Sequence, residues 1–272
     1  MGAGTGEDTG GDAATTAGVV ATRLRAAGCV FAEREAELLL AAPGDLADLL
    51  ARRVAGERLE DVLGWAEFAG RRYAVAPGVF VPRHRSAFLV DLVAARARAG
   101  DVVLDLGCGT GALVGAVRER VPGLVVHAAD VDPAAVACAR RNLPGAAVHE
   151  GDLFAALPPT LRGRLDVVIA NVPYVPTAQI AHLPAEMREH EDRRTLDGGG
   201  DGLDVLRRVL GGAGDWLSAR GRVFVELDED QTGPAADVAA RCGLDARVET
   251  RTDGDPDDWD AETGHVLVLA RP

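Results

Sequence analysis

Val102-Val103-Leu104-Asp105-Leu106-Gly107-Cys108-Gly109-Thr110-Gly111 is an apolar run that breaks into three glycines at alternate positions. Residues 101–106 read as a buried strand, and residues 112–120 as the helix that follows the turn. A strand, a Gly-rich turn and a helix in that order place the turn at the carboxyl end of a sheet, where open α/β folds bind ligands. Glycine there lets the backbone approach a ligand closely. The GxGxG spacing is one residue shorter than the dinucleotide fingerprint, and the turn has no Lys or Arg to neutralise a pyrophosphate. Asp105, two residues before the first Gly, instead suits a ligand carrying positive charge. Taken alone, the stretch is also an ordinary tight strand-to-helix turn.

Downstream, strand patterns at 124–129, 147–150, 165–170, 221–227, 246–250 and 265–270 alternate with helical stretches. Such alternation predicts an α/β domain with a parallel sheet covered on both faces. Upstream, Pro82-Arg83-His84-Arg85 precedes a helix expected over 86–99. Gly64, Gly70 and Gly78 punctuate short segments at 66–68, 72–75 and 79–81, which predict a hairpin. Residues 17–63 carry apolar positions at helical spacing, with Pro43-Gly44-Asp45 as a turn that caps the next helix. Residues 1–16 are Gly, Ala, Thr and acid, expected as a disordered tail. The expected organisation is therefore a tail (1–16), a helical domain (17–64), a hairpin linker (65–85) and an α/β domain (86–272).

Composition narrows the chemistry. The chain has 272 residues and a net charge of −13, and all 29 of its cationic side chains are Arg. Without Lys there is no Walker-type phosphate loop, Schiff base or Lys general base. The acidic balance argues against direct nucleic-acid binding. The four Cys are scattered, with no CxxC pair, and the six His lack ligand spacing; neither a metal site nor a disulfide framework is expected. No apolar run is long enough to span a bilayer, and a signal peptide is not evident. The expected compartment is the cytoplasm.

Three further candidates fall at successive strand ends. Asp130 lies about 20 residues beyond the Gly turn, the interval at which a carboxylate meets ribose hydroxyls. It is also a possible helix cap, but Asp132 followed by Pro133 suits that role better. Asp152 in Gly151-Asp152-Leu153-Phe154 can accept from an adenine amino group with Leu153 against the ring, or form a simple turn. Asn171-Val172-Pro173-Tyr174 follows the strand at 165–170. Its carboxamide and aromatic ring can hold a planar amide or amine, although Asn and Pro are also plain breakers. Four such sites along one sheet edge would line a single crevice.

Together these residues resemble a class I S-adenosylmethionine-dependent methyltransferase, and more narrowly the HemK-type protein-(glutamine-N5) methyltransferases. The resemblance covers nearly all of the chain after the tail. It includes the helical domain, hairpin, Pro-Arg motif, Gly turn and an Asn-Pro-Pro-Tyr-like motif, and it implies substrate recognition by the domain at 17–64 and catalysis by the domain at 86–272. It extends through Glu191-Asp192-Arg193-Arg194-Thr195-Leu196-Asp197-Gly198-Gly199-Gly200-Asp201-Gly202-Leu203-Asp204, then Val223-Phe224-Val225-Glu226 and Gln231.

The resemblance implies a Rossmann-like seven-stranded sheet, S-adenosyl-L-methionine as cofactor and no metal. It places Asp105, Gly107, Cys108, Gly109, Thr110, Gly111 and Asn171 around the cofactor, with Asp130 on its ribose and Asp152 and Leu153 at its adenine. Asn171, Val172, Pro173 and Tyr174 would bind the acceptor, a protein Gln side chain such as that of a peptide-chain release factor. In the family's motif, the Asn carbonyl and the next backbone carbonyl accept the two amide hydrogens, and the aromatic packs on the amide plane.

Two departures stand out. Val172 replaces a Pro, and Pro82-Arg83-His84-Arg85-Ser86-Ala87 lacks the Thr-Glu usual after Pro-Arg; the latter bears on substrate identity. Competing readings are methylation of a small-molecule amine or amide or of a nucleobase, and a non-enzymatic binding module on the same fold. The acidic stretch 253–260, which contains Trp259, is expected as a solvated loop.

Overall fold

The computed structural model describes residues 9–251 and 264–272. The acidic stretch 253–260 lies outside them, as do residues 1–8. The chain divides into two compact units, Met1–Gly64 and Trp65–Pro272.

In the first unit, helices α1 (Thr9–Ala26), α2 (Ala32–Ala41), α3 (Leu46–Val54) and α4 (Leu59–Leu63) enclose a small core. Val20, Leu24, Ala36, Leu39, Leu49, Leu50 and Val62 fill it. Asp45 caps α3 by accepting from Ala47 N at 3.1 Å. Residues 9–16, expected to be irregular, belong to α1 instead. Ala13, Ala14 and Ala17 within it are strong helix formers, which the apolar pattern alone does not register.

The second unit opens with the antiparallel pair β1 (Trp65–Phe68) and β2 (Arg71–Ala74). Ala69 and Gly70 between them both have positive φ, 50° and 79°, as the tightest hairpin turns require. Residues 79–81 do not extend the hairpin; only Gly78 forms a bridge, to Glu191. The helix expected over 86–99 begins with a 3-10 turn, His84–Ser86, and continues as α5 (Ala87–Ala94).

Next come β3 (Val102–Leu106), α6 (Ala112–Arg120), β4 (Val125–Asp130), α7 (Pro133–Asn142), β5 (Ala147–Glu150) and β6 (Leu165–Ala170). They are followed by α8 (Ala185–His190), α9 (Asp204–Trp216), β7 (Leu217–Leu227), α10 (Glu229–Arg241), β8 (Asp245–Arg251) and β9 (Gly264–Ala270). The sheet order is β5-β4-β3-β6-β7-β9-β8.

Alternate residues of each strand feed opposite layers, as the pleat dictates. Val167 and Ile169 pack with α5, α6 and α7, together with Val103 and Phe224. Val168 and Ala170 pack with α9 and α10, together with Leu104 and Leu106. The sheet is not wholly parallel. β9 lies between β7 and β8 and pairs antiparallel with both.

The chain steps outward from β3 to β5, then crosses to β6 on the other side of β3. That reversal opens a crevice at the carboxyl ends of β3 and β6. Among the described residues, no helix is long and apolar enough to cross a membrane.

Candidate active site

A cavity of about 510 Å³ occupies this crevice, within the range of about 300–1,000 Å³ for small-molecule sites. Its wall contains Gly107, Cys108, Gly109, Thr110, Asp130, Asp152, Leu153, Asn171, Val172, Pro173 and Tyr174. Two residues expected with them, Asp105 and Gly111, do not line it.

Gly107 follows β3 with φ 75°, and a Cβ there would meet Val172 Cγ1 at 3.4 Å. Its N–H and that of Cys108 both donate to Ala129 O, at 2.8 and 3.0 Å, which ties the turn to β4. Gly111 is needed for packing: a Cβ would sit 2.7 Å from Leu143 Cδ1, wedging α6 from α7. Asp105 lies behind the turn, fully buried. Strand alternation aims it at α6, where Oδ2 accepts from Val114 N at 3.3 Å. Burial, with some help from the Asp130 charge, pushes its carboxyl up to about 7 against that one hydrogen bond. Burial likewise pushes up the Cys108 thiol.

Asp130 ends β4. Its Oδ2 accepts from Gly109 N at 2.8 Å and its Oδ1 from Asp132 N at 2.9 Å. Both oxygens keep a lone pair for a ligand. Burial raises this carboxyl, opposed by those backbone donors. Asp132 caps α7 through Ala134 N at 3.0 Å, with Pro133 at the first helical position. After β5, Asp152 pairs with Arg208. Leu153 adopts φ 47°, unusual for a branched residue, and such strain concentrates at ligand sites.

The loop after β6 is held from both ends. Asn171 Nδ2 donates to Ser86 Oγ at 3.3 Å. Val172 is buried against the glycine turn. The Tyr174 carbonyl accepts from Gln231 Nε2 at 2.7 Å, and the Tyr174 hydroxyl accepts from Arg85. Burial, and next the Glu226 charge, push the Tyr174 phenol well up. Val175 exchanges backbone hydrogen bonds with the segment at 196–198: its N–H donates to Leu196 O at 3.0 Å, and its O accepts from Gly198 N at 2.9 Å. The Gly-rich stretch singled out in the sequence is therefore the backing of this loop. A Cβ on Gly202 would sit 2.2 Å from Tyr174 O and 2.3 Å from Gln231 Nε2.

Three residues quoted within motifs carried no individual site role in the sequence reading. Arg85 and Ser86 line the cavity, and the buried Glu226 stands behind them. Arg85 Nε donates to Glu226 Oε1 at 3.2 Å. Arg83, in the same segment, pairs with the buried Glu191. Position after the Pro-Arg pair was the available signal; contact with the loop over 85 residues away was not.

Comparison with known proteins follows the same outline. The family model described as methyltransferase small domain matches residues 74–224. A Geobacter sulfurreducens protein named release factor glutamine methyltransferase is 36% identical over 197 residues, covering 72% of this chain and 69% of that protein. A Moorella thermoacetica protein of the same name is 36% identical over 220 residues, 79% and 77% of the two chains. One from Bordetella pertussis is 37% identical over 211 residues, 75% and 77%. Among solved structures, a methyltransferase from Pyrococcus furiosus aligns with a TM-score of 0.55 at 18% identity, covering 82% of this chain and 98% of that one. This last likeness concerns the fold.

Proposed function

Since the chain belongs to the release factor glutamine methyltransferase family, we propose that it methylates the side-chain amide nitrogen (N5) of a glutamine in a peptide-chain release factor, with S-adenosylmethionine as methyl donor. The observation that carries this reading is one shared cavity, walled by the glycine turn, Asp130 and Asn171–Tyr174.

The residues present suit that donor. Asp130 offers free lone pairs to ribose hydroxyls, and its carboxylate is already aimed by Gly109 N and Asp132 N. The turn bears no cation to repel a sulfonium. Gly107, Cys108, Gly109 and Thr110 would border the donor, with Leu153 against its adenine and Asp152 at the adenine amino group. Bound S-adenosylmethionine supplies a methyl group activated by the sulfonium charge.

The protein's task is orientation. An amide nitrogen is a poor nucleophile because its lone pair is delocalised. Two acceptors on its hydrogens raise its electron density and aim it at the methyl carbon. Asn171 Oδ1, turned away from Ser86 by the bond through Nδ2, is one acceptor. The Val172 carbonyl is the other, so Pro is dispensable at that position. The Tyr174 ring, held by Arg85, covers the amide plane. The proton displaced by the new N–C bond leaves to water.

The deciding experiment incubates the protein with labelled S-adenosylmethionine and purified release factor, then maps the labelled residue. Label on a glutamine side chain is expected, and a release factor left unlabelled, or labelled only at another residue type, overturns the proposal. Asn171→Ala should lower the rate by at least about a hundredfold while leaving donor affinity nearly intact by calorimetry.

A further inference from the structure

The segment Pro82-Arg83-His84-Arg85-Ser86-Ala87 departs from the family pattern, yet it supplies two side chains that touch the acceptor loop. Ser86 is completely buried and lines the cavity. Its Oγ meets Asn171 Nδ2 at 3.3 Å. Behind it, Glu226 Oε1 accepts from Arg85 Nε, while the buried Oε2 has no hydrogen-bond partner among the described residues. Burial pushes the Glu226 carboxyl up, opposed by the Arg85 charge and then by the nearby Ser86 hydroxyl.

A serine hydroxyl has one proton to give and two lone pairs to offer. If the proton goes to the carboxylate, Oγ can only accept from Asn171. The carboxamide must then present its NH2 to Ser86 and its oxygen to the cavity. Without this polarity, an Asn side chain can turn over, since its two ends have nearly the same shape. The turned state would aim two N–H groups at the acceptor's own N–H groups. Arg85 completes the unit: it neutralises Glu226 and fixes the Tyr174 hydroxyl.

We propose that Ser86 and Glu226, braced by Arg85, are positioning residues that set the orientation of the Asn171 carboxamide and so make it an acceptor toward the substrate amide. The inference rests on the methyltransferase reading above, which makes Asn171 the clamp residue.

Three variants test it: Ser86→Ala, Ser86→Thr and Glu226→Gln. Ser86→Ala removes the relay and Ser86→Thr keeps the hydroxyl. Glu226→Gln keeps the shape but offers an N–H to Ser86, which frees the serine proton to point at Asn171. On a release-factor substrate, Ser86→Ala and Glu226→Gln should lower kcat at least about tenfold, less than the about hundredfold cost of an outright misplacement. S-adenosylmethionine affinity should change by less than about threefold, half of the roughly tenfold that 1.4 kcal/mol represents on a logarithmic scale. Ser86→Thr should retain most of the wild-type rate.

In Asn171→Ala protein, the further change Ser86→Ala should cost nothing more, because the group it orients is gone. Wild-type kcat in both Ser86→Ala and Glu226→Gln, or an equal additional loss in the Asn171→Ala background, overturns the proposal. A readout independent of the acceptor separates this failure from failure of the functional reading. The Asn171 side-chain NH2 resonance pair, identified by its loss in Asn171→Ala, should shift in Ser86→Ala and Glu226→Gln; unchanged resonances overturn the relay even if no acceptor is ever methylated. Should one variant fail to fold, the other two still decide the question.

Discussion

Gly202 lies so close to the Tyr174 carbonyl that a Cβ on it would stand 2.2 Å from the oxygen. Its φ of 80° adds a strain of about 1–2 kcal/mol for any other residue. Gly202→Ala should therefore push the acceptor loop out of place. The expected result is a fall in kcat of about a hundredfold, the cost of an ångström-scale misplacement, with donor affinity changed little. Steady-state kinetics beside calorimetry checks it; a normal rate would show that the loop is not held from this side.

Asp130 holds the glycine turn and is proposed to hold the donor's ribose. Asp130→Ala removes the acceptor for Gly109 N and Asp132 N along with the ribose contact. A hydrogen bond to a charged group is worth about 1.5–3 kcal/mol, so the dissociation constant for S-adenosylmethionine should rise at least about tenfold. Calorimetric titration that finds wild-type affinity removes Asp130 from the ribose.

Asp152 gives a different expectation. Its ion pair with Arg208 is 55% exposed on both sides, and such pairs are worth about 0–1 kcal/mol. Asp152→Ala should thus leave the melting temperature of the ligand-free protein nearly unchanged while weakening donor binding. A large loss of thermal stability with intact affinity would make the residue structural.

Asp105 predicts a pH dependence of stability. Its folded value, raised by burial to about 7, lies above the ordinary 3.8. The folded state therefore holds this proton more tightly than the unfolded chain. That stabilising share is complete below about pH 4 and is lost as pH rises through about 7, each pH unit between the two values being about 1.4 kcal/mol. Asp105→Asn, which cannot ionise, should gain in melting temperature over the wild type at pH 8 by more than at pH 5. Parallel melting curves across that range would refute the buried-acid account.

The glycine turn and the loop after β6 were legible because each follows a short apolar strand and contains residues with few other uses there. Asp130 and Asp132 were separable because Pro133 marks the first turn of α7. Asp105 was placed at the mouth because sequence spacing does not say which way a strand side chain points; the pleat turns it to α6. Gly111 illustrates the same limit, since its neighbour Leu143 is remote in sequence. Arg85, Ser86 and Glu226 meet only through long-range contacts, for which a single sequence has no local pattern. The reversal of β9 escaped a reading based on strand–helix alternation, which records where strands occur but not their direction.

The loop after β6, proposed to bind the acceptor, is bonded by Gln231, which reaches it from α10 across 57 positions of sequence. The glycine turn, Asp130 and Asp152 all precede that loop. A chain emerging from the ribosome N-terminus first thus contains the glycine turn, Asp130 and Asp152 well before it has synthesised the Gln231 side chain that bonds the loop after β6. The hydrogen bond from Gln231 to the Tyr174 carbonyl is accordingly available only to chains completed at least through α10.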